Sequence, residues 1–426
     1  MWNFKHPSKS LLGSESRRLE GKRILLALTG SVAIIQAPAL ARKLMRLGAE
    51  VYSAMTPKAR AMLNPELMEW ATGNPVVTEI TGKIENIAAF LKPPEGERPV
   101  DLMLVAPATA NTLAEIAHGL YNDAVSGFAM AARGAGIPVI LAPAMHLQLL
   151  SSPAVQRNLK TLRELGFEIV EPRIEEGKAK MADIDEVVEA VVRRLTPKTL
   201  AGFRFLVTAG PTREPLDPIR LITNRSSGRM GVALAFEALR RGAEVTLIYG
   251  PGSVKPPRDA KTIRVETARE MFEAALEELK TGEYHAFLAA AAMADYEVER
   301  PSPAKISTLQ FKELTVRLRA TPKLVDEVKK LRPEIFLVAF KAEYGVSLEG
   351  LREKALEKLR ACGADLVVAS DVSKPGTGFQ AEAIDALIVN ERGETLKLER
   401  MGKEEAAVEI LNLVEERLKA KRGKPS

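Results

Sequence analysis

Residues 202–231 read GFRFLVTAGPTREPLDPIRLITNRSSGRMG. The stretch opens on a short apolar, β-rich run from Phe203 to Val207 and then passes through a polar loop punctuated by glycine and proline. It ends where Val232 to Leu239 take up helical apolar spacing. Strand, long turn and helix in that order put Ser226, Ser227 and Gly228 at a helix N-terminus, where unpaired backbone N–H groups stabilise an anion. An ordinary helix-capping loop is the plainer reading, and the small residues gathered beside Arg225 favour the anion site.

Working outward, the same plan occurs twice. Gly21 to Gly30 (GKRILLALTG) resembles Gly202 to Gly210 (GFRFLVTAG), and each is followed by a helix ending in similar words, Leu47-Gly48-Ala49-Glu50-Val51 and Arg241-Gly242-Ala243-Glu244-Val245. Two strand, glycine turn, helix, strand units predict two separate parallel sheets. Gly30 and Gly48 are 18 residues apart and Gly210 and Gly242 are 32 apart, so the second copy carries 14 more, in the polar loop. An insertion at the carboxyl end of a first strand lies where doubly wound sheets bind ligands. Arg193 to Ala201, with Pro197, reads as the connection. Further strands are expected at Asp101–Ala106, Pro138–Ala142, Ala286–Ala291, Ile335–Phe340 and Asp365–Ser370. Crossover helices are expected at Ser151–Leu165, Ala268–Lys280 and Leu348–Ala361.

Composition narrows the function classes. At 426 residues, 46% of them hydrophobic, the chain holds two or three globular domains. No apolar run reaches the roughly 18–20 residues of a membrane span. Met1 to Arg23 lacks the apolar core of a signal peptide, so a cytoplasmic protein is expected, and the single cysteine, Cys362, fits a reducing compartment. The net charge of +6 is spread among acids, which suits small anionic ligands better than nucleic acid or a membrane surface. A dehydrogenase is disfavoured: neither glycine turn has the Gly-x-Gly-x-x-Gly spacing, and the second strands end in Tyr52-Ser53-Ala54-Met55 and Leu247-Ile248-Tyr249, with no acid for a ribose hydroxyl.

The first half has its own small-residue turns at strand ends: Thr29-Gly30-Ser31-Val32-Ala33, Ala106-Pro107-Ala108-Thr109-Ala110-Asn111-Thr112 and Ala142-Pro143-Ala144-Met145-His146. Gly30 and Ser31 suit a phosphate. Pro107 to Asn111 offers hydroxyl and amide groups to a planar heterocycle, and Met145 offers a soft apolar wall. Each taken singly reads equally well as a strand-to-helix turn.

Over nearly the whole chain these residues resemble the bifunctional phosphopantothenoylcysteine decarboxylase/phosphopantothenate-cysteine ligase family of coenzyme A biosynthesis, in its archaeal branch. Gly30-Ser31-Val32-Ala33, Pro107-Ala108-Thr109-Ala110-Asn111 and Pro143-Ala144-Met145 look like signatures of flavin-containing cysteine decarboxylases. Asn224-Arg225-Ser226-Ser227-Gly228-Arg229-Met230-Gly231, Ala290 to Asp295 and Lys305-Ile306 look like those of the ligase.

The resemblance implies an α/β fold of two three-layer Rossmann-like domains with parallel sheets. A flavodoxin-like flavoprotein domain (1–195) would be followed by a linker (196–201) and a ligase domain (202–426). The implied reaction is condensation of 4′-phosphopantothenate with cysteine, driven by CTP and Mg²⁺ through an acyl-nucleotide, then FMN-dependent decarboxylation to 4′-phosphopantetheine. Small-molecule substrates are the implied partners, in a homo-oligomer with trimeric decarboxylase and dimeric ligase contacts. Carried over, Asn224 would hold the intermediate and Lys305 would neutralise charge in the transfer. Ala291, Asp295, Lys305, Phe340 and Lys358 would bind the nucleotide, with Asp295 on the metal. Gly30, Ser31, Ser53, Pro107, Thr109, Asn111 and Met145 would bind FMN. Asn86, Asn111, Arg225, Ser226, Ser227 and Gly228 would bind substrate.

Some positions depart from the family pattern. The decarboxylase histidine of a Glu-His-Ile sequence is Asn86 here, and an amide carries no proton; losing a general base costs about 10²–10⁴ in rate. Among four histidines, His146 alone stands in a signature loop and is the candidate catalytic imidazole. Glu175 to Lys180 replaces the bacterial flap cysteine, Cys362 replaces a second lysine after Lys358, and Ser370 stands where an asparagine is expected. Two readings of residues 1–195 stay open: a working FMN decarboxylase, or a weakly catalytic flavin-binding and oligomerising module attached to an active ligase.

Overall fold

The computed structural model describes residues 6–91, 98–307 and 313–422, the last without its side chain. The chain divides into two compact units, Met1–Thr196 and Pro197–Ser426, each built on its own sheet. The segment after the boundary packs on the second unit: Leu200 is fully buried and its N–H donates to the Arg241 carbonyl at 2.9 Å.

In the first unit β1 (Arg23–Leu28), β2 (Glu50–Met55), β3 (Val76–Val77), β4 (Leu102–Ala108), β5 (Val139–Pro143) and β6 (Glu168–Ile169) pair in the order β3-β2-β1-β4-β5-β6, all parallel. Without the two-residue edge strand β3, this is the flavodoxin-like order. Apolar residues run without a break along β1 because both faces are covered. Ile24, Leu26 and Leu28 pack with helices Ala37–Arg46 and Ile184–Leu195. Leu25 and Ala27 pack with Ala110–Ala117, Ala124–Gly134 and Pro153–Glu164. Burying a side chain such as Leu26 or Leu104 is worth about 1.5–3 kcal/mol.

The second unit repeats the scheme with β7 (Arg204–Ala209), β8 (Glu244–Tyr249), β9 (Lys261–Arg264), β10 (Ala286–Ala289), β11 (Phe336–Glu343), β12 (Leu366–Asp371), β13 (Ala383–Asn390) and β14 (Thr395–Gly402). Their order is β9-β8-β7-β10-β11-β12-β13-β14, with six parallel strands and an antiparallel pair at one edge. Helices Arg229–Arg240 and Lys403–Arg422 cover one face, and Ala268–Thr281, Leu324–Leu331 and Leu348–Cys362 cover the other. The repeated Gly-Ala words now have a physical cause: Gly48 (φ +102°) and Gly242 (φ +88°) take the left-handed conformation that follows a helix end.

The expected strands and helices lie within a few residues of those observed, with two differences. The helix expected over Ser151–Leu165 starts at Pro153, behind a separate turn at Leu147–Leu150. The β13–β14 edge pair was not anticipated, because alternate residues of β13 serve opposite faces (Ile384 and Ile388 one, Leu387 and Val389 the other) and β14 is mostly exposed. The extra residues of the second copy fold into a small antiparallel ribbon, Arg213–Pro215 with Leu221–Thr223. Among the described residues no helix is long and apolar enough to cross a membrane.

Candidate active sites

In the second unit the carboxyl ends of β7, β10 and β11 converge on a cavity of about 400 Å³. The polar loop enters it through Ser226 and Gly228. Gly228 (φ +82°) precedes the helix Arg229–Arg240, and one turn in, a Cβ on Gly231 would stand 2.4 Å from the Ala209 Cβ; helix and strand meet here only because Gly231 has no side chain. Ala289 to Ala292 form a wall of small side chains that lets a ligand approach the backbone.

Asn224 is fixed against that wall. Its Nδ2 donates to the carbonyls of Ala292 and Met293, both at 3.1 Å, so both amide hydrogens are committed and Oδ1 is the atom left to accept. Thr321 Oγ1 donates to the Ala294 carbonyl at 2.6 Å, and Thr212 Oγ1 accepts from the Ala294 N–H at 2.9 Å, which pins the start of the Ala294-Asp295 turn.

The cavity cations fall into two groups. Lys323 is paired with Asp295, Lys358 lies 3.6 Å from Asp326 and Lys341 lies 3.0 Å from Glu343. Among the described residues Arg229 and Lys403 lack a comparable partner: Arg229 reaches the exposed Glu382 at 3.8 Å, and its Nε is buried without a hydrogen bond. Burial pushes the Lys403 ammonium down to about 8, and the Arg229 charge acts in the same direction.

Of the ligase residues read from the sequence, Asn224, Ser226, Gly228, Ala291, Asp295, Phe340 and Lys358 line this one cavity. Ser227 lies behind it, buried, with its hydroxyl on the Phe379 carbonyl at 3.3 Å. Arg225 and Lys305 are exposed and outside the lining. Lys305 is placed by its neighbour: the Ile306 N–H donates to Asp217 at 3.1 Å, and the Ile306 carbonyl accepts from Arg220 at 3.0 Å. Sequence reading missed Arg229 and Lys403; the signal for Arg229 was present in the quoted motif, whereas Lys403 arrives from the far end of the chain through the β13–β14 pair. Cys362 is buried and its thiol, pushed up by burial, donates to the Lys358 carbonyl at 3.1 Å, so it supports the helix instead of facing the ligand.

In the first unit a cavity of about 470 Å³ brings together Gly30, Thr109 and Asn111 with Lys58, Glu115, Asn122 and Asp123. A Cβ on Gly30 would stand 2.3 Å from Lys58 Cγ. Thr29 Oγ1 donates to the Pro107 carbonyl at 2.8 Å and accepts from the Thr109 N–H at 3.0 Å, locking the first two signature turns together. Thr109 caps the helix Ala110–Ala117. Glu115 is buried; its Oε1 accepts from Asn111 at 2.8 Å and Asn122 at 3.1 Å, and its Oε2 has no hydrogen bond.

The other flavin candidates stand apart from this lining. Ser31 caps the turn Val32–Gln36, Pro107 is buried in β4, and Ser53 is buried in β2 with its hydroxyl unpartnered. Met145 and the exposed His146 pair with Ala179 and Lys178 in a small ribbon. Asn86 is buried on the short helix Glu85–Ala88 with its Oδ1 unpartnered. Among the described residues no three metal-ligating side chains cluster.

Residues 200–418 match the DNA/pantothenate metabolism flavoprotein C-terminal domain, and residues 12–196 match the flavoprotein domain. The coenzyme A biosynthesis bifunctional protein CoaBC of Thermococcus kodakarensis is 46% identical over 413 residues, covering 97% of this chain and 100% of that protein. This chain belongs to that family. CoaBC of Methanocaldococcus jannaschii is 36% identical over 371 residues (87% of this chain, 88% of that one), and CoaBC of Escherichia coli is 37% identical over 374 (85% and 89%). A crystal structure of the C-terminal domain of CoaBC is 32% identical, with a TM-score of 0.44, covering 52% of this chain and 99% of that one. Membership makes the chain a bifunctional ligase and decarboxylase of coenzyme A biosynthesis, with a flavoprotein half and a ligase half.

Proposed function

We propose that the second unit condenses 4′-phosphopantothenate with cysteine using a nucleoside triphosphate, CTP in the first instance, and that the first unit decarboxylates the product with FMN. The observation that carries the ligase reading is the Asn224 amide, immobilised on two carbonyls beside an alanine wall. In the first step a substrate carboxylate oxygen attacks the α-phosphorus and pyrophosphate leaves. In the second the cysteine amine attacks the acyl carbon, the C–O bond breaks, the nucleoside monophosphate departs and the amine gives up a proton. Asn224 Oδ1 accepts an N–H of the incoming amine and holds it in line, a positioning contribution. Lys305, steadied through Ile306, neutralises charge on the phosphoryl side. One Asp295 oxygen is occupied by Lys323, and the other would help to hold a Mg²⁺ ion, which would supply positive charge to the triphosphate.

The first cavity fits a flavin. Its volume lies in the usual range of about 300–1,000 Å³ for cofactor sites, and Lys58, packed on Gly30 at its wall, supplies a cation for a phosphate. FMN, when bound, supplies the redox chemistry of thiol oxidation. Thr109 and Asn111 orient the reacting groups. A second reading is favoured by Asn86, which is buried with an unpartnered oxygen and cannot move a proton: an active ligase with a slow flavoprotein half, in a cytoplasmic homo-oligomer with trimeric and dimeric contacts.

Incubation with phosphopantothenate, cysteine, CTP and Mg²⁺, following CO₂ and phosphopantetheine, separates the readings. Release of CO₂ by a yellow protein supports the complete two-step enzyme, and accumulation of phosphopantothenoylcysteine alone supports the second reading. Absence of both products removes the ligase assignment. Asn86→His, if the imidazole is limiting, raises decarboxylation by about 10² or more.

A further inference from the structure

Lys403, the first residue of the helix Lys403–Arg422, is only 5% exposed. Its Nζ donates to the carbonyls of Gly378 at 3.1 Å and Phe379 at 3.0 Å. The Phe379 carbonyl also accepts from Ser227 Oγ. A single carbonyl thus joins three parts of the ligase cavity: the serine-rich turn, the loop after β12 and the start of the last helix. Thr377, Gly378 and Phe379 form one wall of that cavity, with Arg229 and Lys403 beside them.

A buried ammonium is usually matched by a carboxylate. Among the described residues none lies within 4.0 Å of this one. The charged groups around it are already engaged or exposed: Glu382 faces Arg229, Glu404 faces Arg240, Glu405 lies against Gly402, and Arg229 repels it. Its charge is held by two peptide dipoles alone, an arrangement that costs stability and points to use by a ligand.

We propose that Lys403 is a positioning residue of the nucleotide site: its ammonium clamps the Gly378–Phe379 wall to the Ser227 turn and so sets the affinity for the triphosphate, not the rate of either chemical step. This rests on reading the cavity as a nucleoside triphosphate site. Lys403 touches carbonyls and not reacting atoms, so its loss moves binding through the wall. Burial and the Arg229 charge hold the ammonium down to about 8, so the clamp loses charge as pH rises from 7 towards 9.

The test compares full-length wild type, Lys403→Met and Lys403→Arg with CTP as the probe. Lys403→Met is expected to raise the KM for CTP at least tenfold with kcat within about threefold, and to speed hydrogen exchange in residues 372–382. Lys403→Arg restores most of the affinity, because a guanidinium keeps the charge. In wild type the KM for CTP rises between pH 7 and 9, while Lys403→Arg stays flat. A Lys403→Met enzyme with KM within twofold of wild type overturns the role of Lys403, as does a flat wild-type profile if that variant does not fold. A wild type that consumes no CTP with phosphopantothenate and cysteine overturns the reading of the cavity itself, a separate failure.

Discussion

The carboxylate of Asp217 accepts a hydrogen bond from the backbone N–H of Ile306 at 3.1 Å, joining the polar loop to the segment that carries Lys305. Its other oxygen accepts from the N–H groups of Ile219 at 2.8 Å and Arg220 at 2.7 Å, and the Arg220 guanidinium completes the set. Burial would raise its pKa, but these donors outweigh burial and hold it at about 2. The folded value lies below the ordinary carboxylate range, so the stabilisation is full above about pH 4 and is lost as pH falls towards 2. Asp217→Asn is expected to cut ligation about tenfold while decarboxylation of added phosphopantothenoylcysteine stays within twofold. Its urea denaturation midpoint should change less than that of wild type between pH 4 and 2.5; an equal fall in midpoint for the two proteins would show that Asp217 is not the group responsible.

Gly231 sets the distance between the helix Arg229–Arg240 and β7. Adding a methyl group brings it 2.4 Å from the Ala209 Cβ and 2.9 Å from the Thr208 carbonyl, both on a strand with no room to retreat. Overpacking of this kind costs about 1–3 kcal/mol. Gly231→Ala should therefore lower the melting temperature of the ligase half by several degrees, seen by calorimetry. It should also weaken CTP binding, because the displaced helix carries Gly228 and Arg229 into the cavity.

The sheets were legible because their cause is local. Gly48 and Gly242 end helices in a conformation that favours glycine, and each is followed by a strand whose apolar residues face two covered sides. The cavity around Asn224 was legible as a set of motifs because each lies at the end of a parallel strand. Lys403 was not, since nothing near it in sequence marks its ammonium as buried; that follows only when β13 and β14 bring it beside Gly378. In the first unit Thr109 and Asn111 come together with Gly30 through the Thr29 hydroxyl, a contact across 80 residues that spacing alone does not reveal. Glu115 was passed over because a glutamate one helical turn after Asn111 looks like a solvated residue until its burial is seen.

Glu115 orients the Asn111 amide by accepting from its Nδ2 at 2.8 Å. Glu115→Leu removes that acceptor and frees Asn122 as well. The expected outcome is a loss of flavin affinity of about tenfold, with Glu115→Gln much closer to wild type because its side-chain carbonyl still accepts. Flavin fluorescence on dilution measures this, and equal retention by all three proteins would place the cofactor elsewhere.

The two helices on one face of the second sheet are joined by a buried charge network. Arg241 Nε donates to Glu237 at 2.8 Å, its Nη1 to Glu415 at 3.1 Å and its Nη2 to the Val408 carbonyl at 3.2 Å. Arg241→Met takes one donor from each carboxylate while Arg240 still faces Glu237 and both Lys419 and Thr199 still bind Glu415, so the cost is that of lost hydrogen bonds to charged groups, about 1.5–3 kcal/mol. For a unit of this size, at about 2–4 °C per kcal/mol, that corresponds to roughly 3–12 °C in melting temperature. Burial alone would raise the Glu415 pKa, but hydrogen bonds from Lys419, Thr199 and Arg241 bring it below the ordinary value. Its stabilisation is therefore present above the unfolded pKa and fades as pH drops through the folded one. Wild type should lose stability on acidification below about pH 4.5 more steeply than Arg241→Met, in which the shift is smaller. If the two acid limbs run parallel, Arg241 contributes packing and not charge.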